Sequence, residues 1–228
     1  LMNVERLQRA LSDRGLYTAR VDGLWGPLSE AAFQDLLDGF DAARPADEDA
    51  AAAPDGPSAR PIAWGARVSA EFRERICWTA HALRIDPDWL MACIAFETGN
   101  TFSPSIRNFA GSGATGLIQF MPATARGLGT TVDELAALSA EEQIPYVYRY
   151  LAPYRGRLHS LGDVYMAILW PRGIGKADDW VLWCRDVREV TYLQNHGLDA
   201  DGDGKITRSE ATAKVYDSLI VGRRDYMA

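Results

Sequence analysis

The stretch from Asp41 to Pro61, DAARPADEDAAAAPDGPSARP, is made of Ala, Asp, Pro and other small or charged residues, with nothing large enough to anchor a core. Such a segment cannot repay the entropy of its own ordering, so it reads as a linker and the chain cannot fold around one continuous core. Before it, Val4, Leu7 and Leu11 recur at helical spacing and Gly15 supplies a C-cap. A turn through Asp22-Gly23 follows, and a second helix opens at Gly26-Pro27 with Ala32, Phe33, Leu36 and Leu37 on one side. After the linker, helical periodicity predicts segments near 69–84, 86–97, 121–127, 132–153, 161–170, 178–194 and 208–222. The fold class expected is therefore mostly α, a small helical module plus an α-rich second domain, with any sheet confined to a hairpin around 103–118.

Composition narrows the partners. A net charge of −7 argues against nucleic acid as the main partner, and no apolar run reaches the length of a membrane span. The N-terminal residues lack the basic, apolar, small-residue order of a secretory signal. Cys77, Cys93 and Cys184 are odd in number and sit among apolar neighbours, so they read as small core residues in a reducing compartment. His81, His159 and His196 show no zinc-ligand spacing, no Gly-x-Ser-x-Gly elbow is present, and the glycines around Ser112, Gly113 and Thr115 lack the GK[ST] of a phosphate cradle.

Residues 199–210, DADGDGKITRSE, satisfy each positional demand of a twelve-residue calcium loop. Asp199, Asp201 and Asp203 alternate so that their carboxylates converge. Gly204 permits the sharp turn, Lys205 offers its backbone carbonyl, Ile206 faces the core and Glu210 closes the site bidentately. A single structural Ca2+ is the cofactor expected. With no second copy of the loop to pair with it, the ion is expected to clamp the fold rather than to switch it.

One carboxylate stands out for chemistry. The helix opening at Asp86-Pro87 carries Leu90, Cys93 and Ile94 on its apolar face, and Glu97 continues that face at the helix C-terminal end. Burial and the negative end of the helix dipole should both resist ionisation there, raising the pKa as a general acid requires. Periodicity alone leaves an alternative, a Glu that caps the face or pairs with Arg107.

The run ETGNTFSPSIRNFAGSGATGLIQFMPATA, Glu97 to Ala125, resembles the signature of the lysozyme-like soluble lytic transglycosylase family, in which a helix-terminal Glu precedes a Gly-(Leu/Met)-(Ile/Met)-Gln-(Phe/Ile/Leu)-Met-Pro-x-Thr-Ala segment. The likeness continues more weakly through EEQIPYVYRYL, 141–151, and DVYMAILWP, 163–171. It implies a lysozyme-like catalytic domain over 64–228 that cleaves the β-1,4 bond between N-acetylmuramic acid and N-acetylglucosamine, with Glu97 as acid/base. Gln119 would contact the glycan or brace the cleft, and Tyr148 and Tyr165 would border it. The family's Ala-Tyr-Asn-Ala-Gly segment is replaced here by DVYMAILWPRG, and Tyr165 does not fall at the same register. A second carboxylate for hydrolysis, drawn from Asp133, Glu134, Glu141, Glu142 or Asp163, is not marked by spacing. Trp170, Trp180 and Trp183 form a Trp-rich stretch read as core, with Trp170 beside Pro171 a candidate cleft residue.

Residues 1–40 are similar to the peptidoglycan-binding domain of cell-wall hydrolases, whose turn reads Asp-Gly-x-(Phe/Trp)-Gly; Asp22, Gly23, Trp25 and Gly26 match it. Trp25 is thus a candidate wall contact, and 41–63 is the linker between binder and enzyme. The order resembles modular phage endolysins. That resemblance implies bacterial peptidoglycan as partner, a monomer, no membrane insertion, and residence in the host bacterial cytoplasm until a holin admits it to the periplasm.

Overall fold

The structure is a computed structural model that describes Ser12, residues 60–108 and residues 112–228. The chain divides into two compact units, Leu1–Gly56 and Pro57–Ala228. The expected wall-binding module, with Trp25, and the linker up to residue 59 therefore lie outside the described residues, apart from Ser12.

The second unit is mostly helical. Helix α1, Ala70–Leu83, starts where the Ser69 hydroxyl accepts the Phe72 amide, and stops at Arg84, held in the left-handed region at φ 60°. Its buried face, Phe72, Ile76, Ala80 and Leu83, has the spacing of a helix laid on a core. Helix α2, Pro87–Glu97, is capped by Asp86 and opened by a proline, and every residue from Leu90 to Ala95 is buried. It is the central helix, surrounded rather than amphipathic.

Helices α3, Pro122–Gly127, and α4, Val132–Ala137, precede α5, Ala140–Leu151. A single helix over 132–153 was expected, and the structure divides it. Ser139 forms a capping box with Glu142, as Thr131 does with Glu134, and each box starts a helix afresh. Helix α6, Leu161–Leu169, is buried from Leu161 through Ala167.

The expected helix over 178–194 is also corrected. Val181–Cys184 forms strand β1, and only Glu189–Asn195 is helical, as α7. Strand β2, Lys205–Thr207, pairs antiparallel with β1, placing Trp183 opposite Ile206 and Cys184 opposite Lys205. The sheet is thus not at 103–118, where isolated bridges join Arg107 to Thr115 and Thr115 to Phe120. Bulky Val181, Leu182 and Trp183 extend because the eighth residue of the acidic loop, the fully buried Ile206, offers an edge to pair with.

Helix α8, Arg208–Asp225, closes the unit and packs along α2. Ser218 donates to the Ala92 carbonyl at 3.1 Å, and the Trp64 indole donates to the Ser218 carbonyl at 3.0 Å. Trp64 also stacks on Tyr226, with ring centroids 4.8 Å apart. Gly222 is required at this crossing, since a Cβ there would lie 2.4 Å from the Trp64 ring. Ile62 and Ala63, at the end of the expected linker, belong to this core: both are fully buried, and the Ile62 amide donates to the Ala228 carbonyl at 3.0 Å. Buried Asp88 locks the same corner, accepting from the Ala63 amide at 2.9 Å and from Arg223 Nε at 2.8 Å. Among the described residues no helix is long and apolar enough to cross a membrane.

Candidate functional site

Glu97 ends α2 and is partly buried. Burial pushes its carboxyl up to about 8, so at neutral pH it holds its proton. The chain turns away from it abruptly. Thr98 Oγ1 donates to the Ile94 carbonyl at 2.7 Å and accepts the Phe102 amide at 3.0 Å, while Gly99, Asn100 and Phe102 all take positive φ. Holding the non-glycine Asn100 and Phe102 there costs energy, and it is the surrounding bonds and the packing of Phe102 on Phe72 and Trp64 that impose it. The result is a Glu standing at the mouth of a sharp bend.

Tyr165 on α6 and Tyr150 on α5 lie near enough to this carboxyl for its charge to act on their hydroxyls. Burial first, then charge including that of Glu97, raises the pKa of both hydroxyls, and the same two causes act on the buried thiol of Cys93. Both tyrosines are therefore neutral hydroxyls at any physiological pH. Tyr165 is 2 % exposed and meets Phe96 edge-on at 5.6 Å; Tyr150 donates to the Ala167 carbonyl at 2.9 Å. Tyr148, the α5 tyrosine singled out from sequence, packs partly buried against the core. Tyr150 was missed, although it stands three residues beyond the core residue Val147, close enough on the helix to flank the same face.

Gln119 is at φ 53°, and its side-chain nitrogen donates to the Gly116 carbonyl at 3.1 Å and the Ile106 carbonyl at 3.4 Å. That amide braces the glycine-rich turn. The stronger brace is a residue the sequence did not mark, the fully buried Gln143. Its Oε1 accepts the Leu117 amide at 3.0 Å, and its Nε2 donates to the Pro104 carbonyl at 2.7 Å and the Leu135 carbonyl at 2.6 Å. A Cβ at Gly116, where φ is 84°, would lie 2.5 Å from the Gln143 side chain. A buried Gln in a helix with three backbone partners was signalled only by its polarity at a core-facing position.

The carboxylates considered as partners for Glu97 are each engaged elsewhere. Asp133 pairs with Arg107, which removes Arg107 as a partner for Glu97. Glu134 and Glu142 complete capping boxes, and Glu141 accepts from the Ser69 hydroxyl. Asp163 is buried: its oxygens accept from the Gly175 amide at 2.8 Å, the His159 amide at 3.1 Å and Arg208 Nη2 at 3.0 Å. Burial opposes its ionisation, but these donors together hold its pKa below the usual carboxylate range.

The acidic loop gathers three carboxylates. Carboxylate oxygens of Asp199, Asp201 and Asp203 lie within 4.8 Å of one another. Asp199 accepts the Gly202 amide at 2.7 Å, the Gly204 amide at 3.0 Å and the Tyr192 hydroxyl at 2.6 Å; Asp203 accepts the Lys205 amide at 2.8 Å. Gly204 sits at φ 85°, as the sixth position requires. Glu210 stands outside that trio, its oxygens accepting from the Ala200 amide at 3.0 Å, the Thr207 amide at 2.8 Å and the Thr207 hydroxyl at 2.7 Å. An all-oxygen donor set of this kind fits Ca2+ better than a borderline metal. Asp199, Asp201 and Asp203 would hold the ion, with Lys205 and Glu210 the remaining candidates.

No protein-family model matches the chain, and no curated protein matches it.

Proposed function

We propose that this chain cleaves the glycan strand of bacterial peptidoglycan at the N-acetylmuramic acid to N-acetylglucosamine β-1,4 bond, as a lytic transglycosylase with Glu97 as its acid and base. The observation that carries the reading is a partly buried carboxyl that stays protonated to about pH 8 with, among the described residues, no second carboxylate committed to its support. A protonated Glu can give its proton to the glycosidic oxygen as the bond to the muramyl C1 breaks. Its carboxylate then takes the proton of the muramyl 6-hydroxyl as that oxygen closes on C1, leaving a 1,6-anhydro end. Tyr150, whose hydroxyl is held by the Ala167 carbonyl, and the buried Tyr165 form the neutral surroundings that resist ionisation of the acid. The motif that runs from Glu97 through Gln119 to Ala125 favours this route over hydrolysis by analogy.

Within this reading the chain is a modular endolysin, with the wall-binding segment including Trp25 ahead of the catalytic unit. It would act as a monomer on the host wall after holin-dependent release from the cytoplasm. Mass spectrometry of fragments released from purified Gram-negative sacculi tests the chemistry. Anhydro-muropeptides from the wild type and none from Glu97→Gln are expected. Reducing ends would make the enzyme a muramidase, and no fragments from either protein would overturn the proposal in favour of a wall-binding role.

Calcium in the 199–210 loop is proposed as a clamp. The loop leads through β2 into α8, which packs on α2, the helix that ends at Glu97, so ion binding would stabilise the packing that holds that helix. A ligand at a hundredfold its Kd adds about 2.7 kcal/mol, which for a unit of this size raises Tm by roughly 5–10 °C. Chelation should lower Tm by that amount, and Asp201→Ala should abolish the response. Equal melting with and without calcium would remove the clamp.

A further inference from the structure

Asp199 is the carboxylate of the acidic loop that is held from outside it. Among the described residues Asp201, Asp203 and Glu210 take their donors from within 199–210: the Asp203 amide for the first, the Lys205 amide for the second, and the Ala200 and Thr207 amides with the Thr207 hydroxyl for the third. Asp199 takes the loop amides of Gly202 and Gly204 and, in addition, the hydroxyl of Tyr192 at 2.6 Å. Arg185 Nη2 donates to that same hydroxyl oxygen at 3.0 Å, and its guanidinium lies 5.1 Å from the Tyr192 ring centroid. A guanidinium only donates, so the Tyr192 oxygen is the acceptor in that bond and its single proton goes to Asp199. The chain of bonds from Arg185 through Tyr192 to Asp199 therefore runs in one direction.

The backbone delivers both residues to the loop. Arg185 follows β1, and its amide donates to the Gly204 carbonyl at 2.8 Å, which extends the β1–β2 ladder to the sixth position of the loop. At the other end the Arg208 amide donates to the Trp180 carbonyl at 2.8 Å. Residues 180–185 thus run alongside positions six to ten of the loop, in a chain whose sequence holds no second loop to do so. The chain then reverses, with the Val187 and Arg188 amides donating to the Cys184 carbonyl, and enters α7. That helix leaves Val190 69 % and Leu193 54 % exposed and buries only Tyr192. A buried hydroxyl needs partners, and both of those that Tyr192 finds lie at the loop.

Donors on both oxygens of a carboxylate fix its rotation, and fixing a metal ligand in this way is what a partner outside the ligand set contributes to affinity. We propose that Tyr192, aimed by Arg185, is a positioning residue for Ca2+ in the 199–210 loop, setting Asp199 so that one loop binds the ion on its own. The inference rests on the calcium reading of that loop and adds the side chains outside it on which affinity depends.

The test is a calorimetric titration of the full chain, stripped with chelator, with Ca2+ alone, for the wild type, Tyr192→Phe, Arg185→Lys and the variant carrying both changes. Loss of such a partner costs a metal site about 10–100-fold in affinity, so Tyr192→Phe should bind Ca2+ at least roughly tenfold more weakly. Phe keeps the ring and its packing, and Tm in chelator shows whether the ion-free fold is intact. Arg185 is exposed, and Lys keeps its charge while losing the planar fork. Arg185→Lys should therefore weaken binding when made alone and have no further effect in the Tyr192→Phe background, because it acts through the hydroxyl. Affinity of Tyr192→Phe equal to that of the wild type, or losses from the two changes that simply add, would overturn the positioning role and leave the calcium reading standing. Were Tyr192→Phe to lose its fold, Arg185→Lys decides alone, and an affinity equal to wild type would likewise overturn the proposal. A wild type that takes up no Ca2+ would overturn the calcium reading itself, and this inference with it.

Discussion

Glu97→Gln is expected to lower glycan cleavage by at least roughly 10³-fold while making the protein more stable at pH 8. The loss follows from removing the only proton donor proposed for the leaving oxygen, since the amide neither gives nor accepts one. The gain in stability follows from the environment of the acid. In the folded chain the Glu97 carboxyl titrates at about 8 against an ordinary value of 4.5, because burial penalises the charged form. The folded state therefore binds a proton that the unfolded state has released, and stability falls as pH rises from about 4.5 through about 8. A neutral Gln does not pay that penalty. Discounting for the partial exposure of the side chain, the difference at pH 8 is about 2–3 kcal/mol, or roughly 5–10 °C in Tm, and it should vanish near pH 4. Wild-type activity should likewise be retained below pH 8 and decline above it as the acid ionises. Melting curves of both proteins across this range check the sign. A variant that melts no higher than wild type at pH 8 would show that Glu97 is not held in a desolvated site.

Arg208→Ala is expected to be the most destabilising single change outside the apolar core. Arg208 is 7 % exposed at the start of α8, and its guanidinium bonds Asp163 on α6 at 3.0 Å and Asp178 at 2.7 Å. Gly162 makes room for it: a Cβ there would lie 2.7 Å from Nη2. Truncation leaves the buried Asp163 carboxylate with amide donors but no counter-charge, a loss of about 3–5 kcal/mol and roughly 10 °C in Tm. The pH dependence distinguishes this from a simple packing loss. Asp163 is held below its ordinary value of 3.8 in the folded wild type, so its contribution is present above that value and lost as pH falls through the depressed one. Without Arg208 the carboxyl titrates higher, and the deficit should be largest near neutral pH and shrink toward pH 4. A deficit equal at pH 4 and pH 7 would mean that shape, not charge, is what Arg208 supplies. The pair joins the acidic loop, two residues from Glu210, to the helix that carries Tyr165. Activity of the variant at temperatures well below its Tm will show whether that link also positions the site.

The sequence by itself determined the mostly helical class, the ends of α1, α2, α3, α6 and the start of α8, and the placement of Glu97 at a helix terminus. These depend on caps, prolines and periodicity, which act within a turn or two of chain. It also supplied the trio Asp199, Asp201 and Asp203, because loop geometry is local and the carboxylates converge on that basis alone. What it could not decide was set by partners distant in the chain. Val181–Cys184 is a strand because Ile206 lies across from Trp183, more than twenty residues on; the same apolar residues satisfy a helical period when read without that edge. The division of 132–153 at Ser139 was in principle legible, since Ser139 and Glu142 have capping-box spacing, yet the apolar period runs on past it. The roles of Gln143 and Tyr150, beyond the faint local signals of polarity and spacing, were out of reach for a different reason. Hydrogen-bond partners such as Leu117 and Ala167 and the proximity of Glu97 arise only when α2, α5 and α6 meet. The same is true of the proton on Glu97, because desolvation is a property of everything packed around a group and not of the residues beside it in the chain.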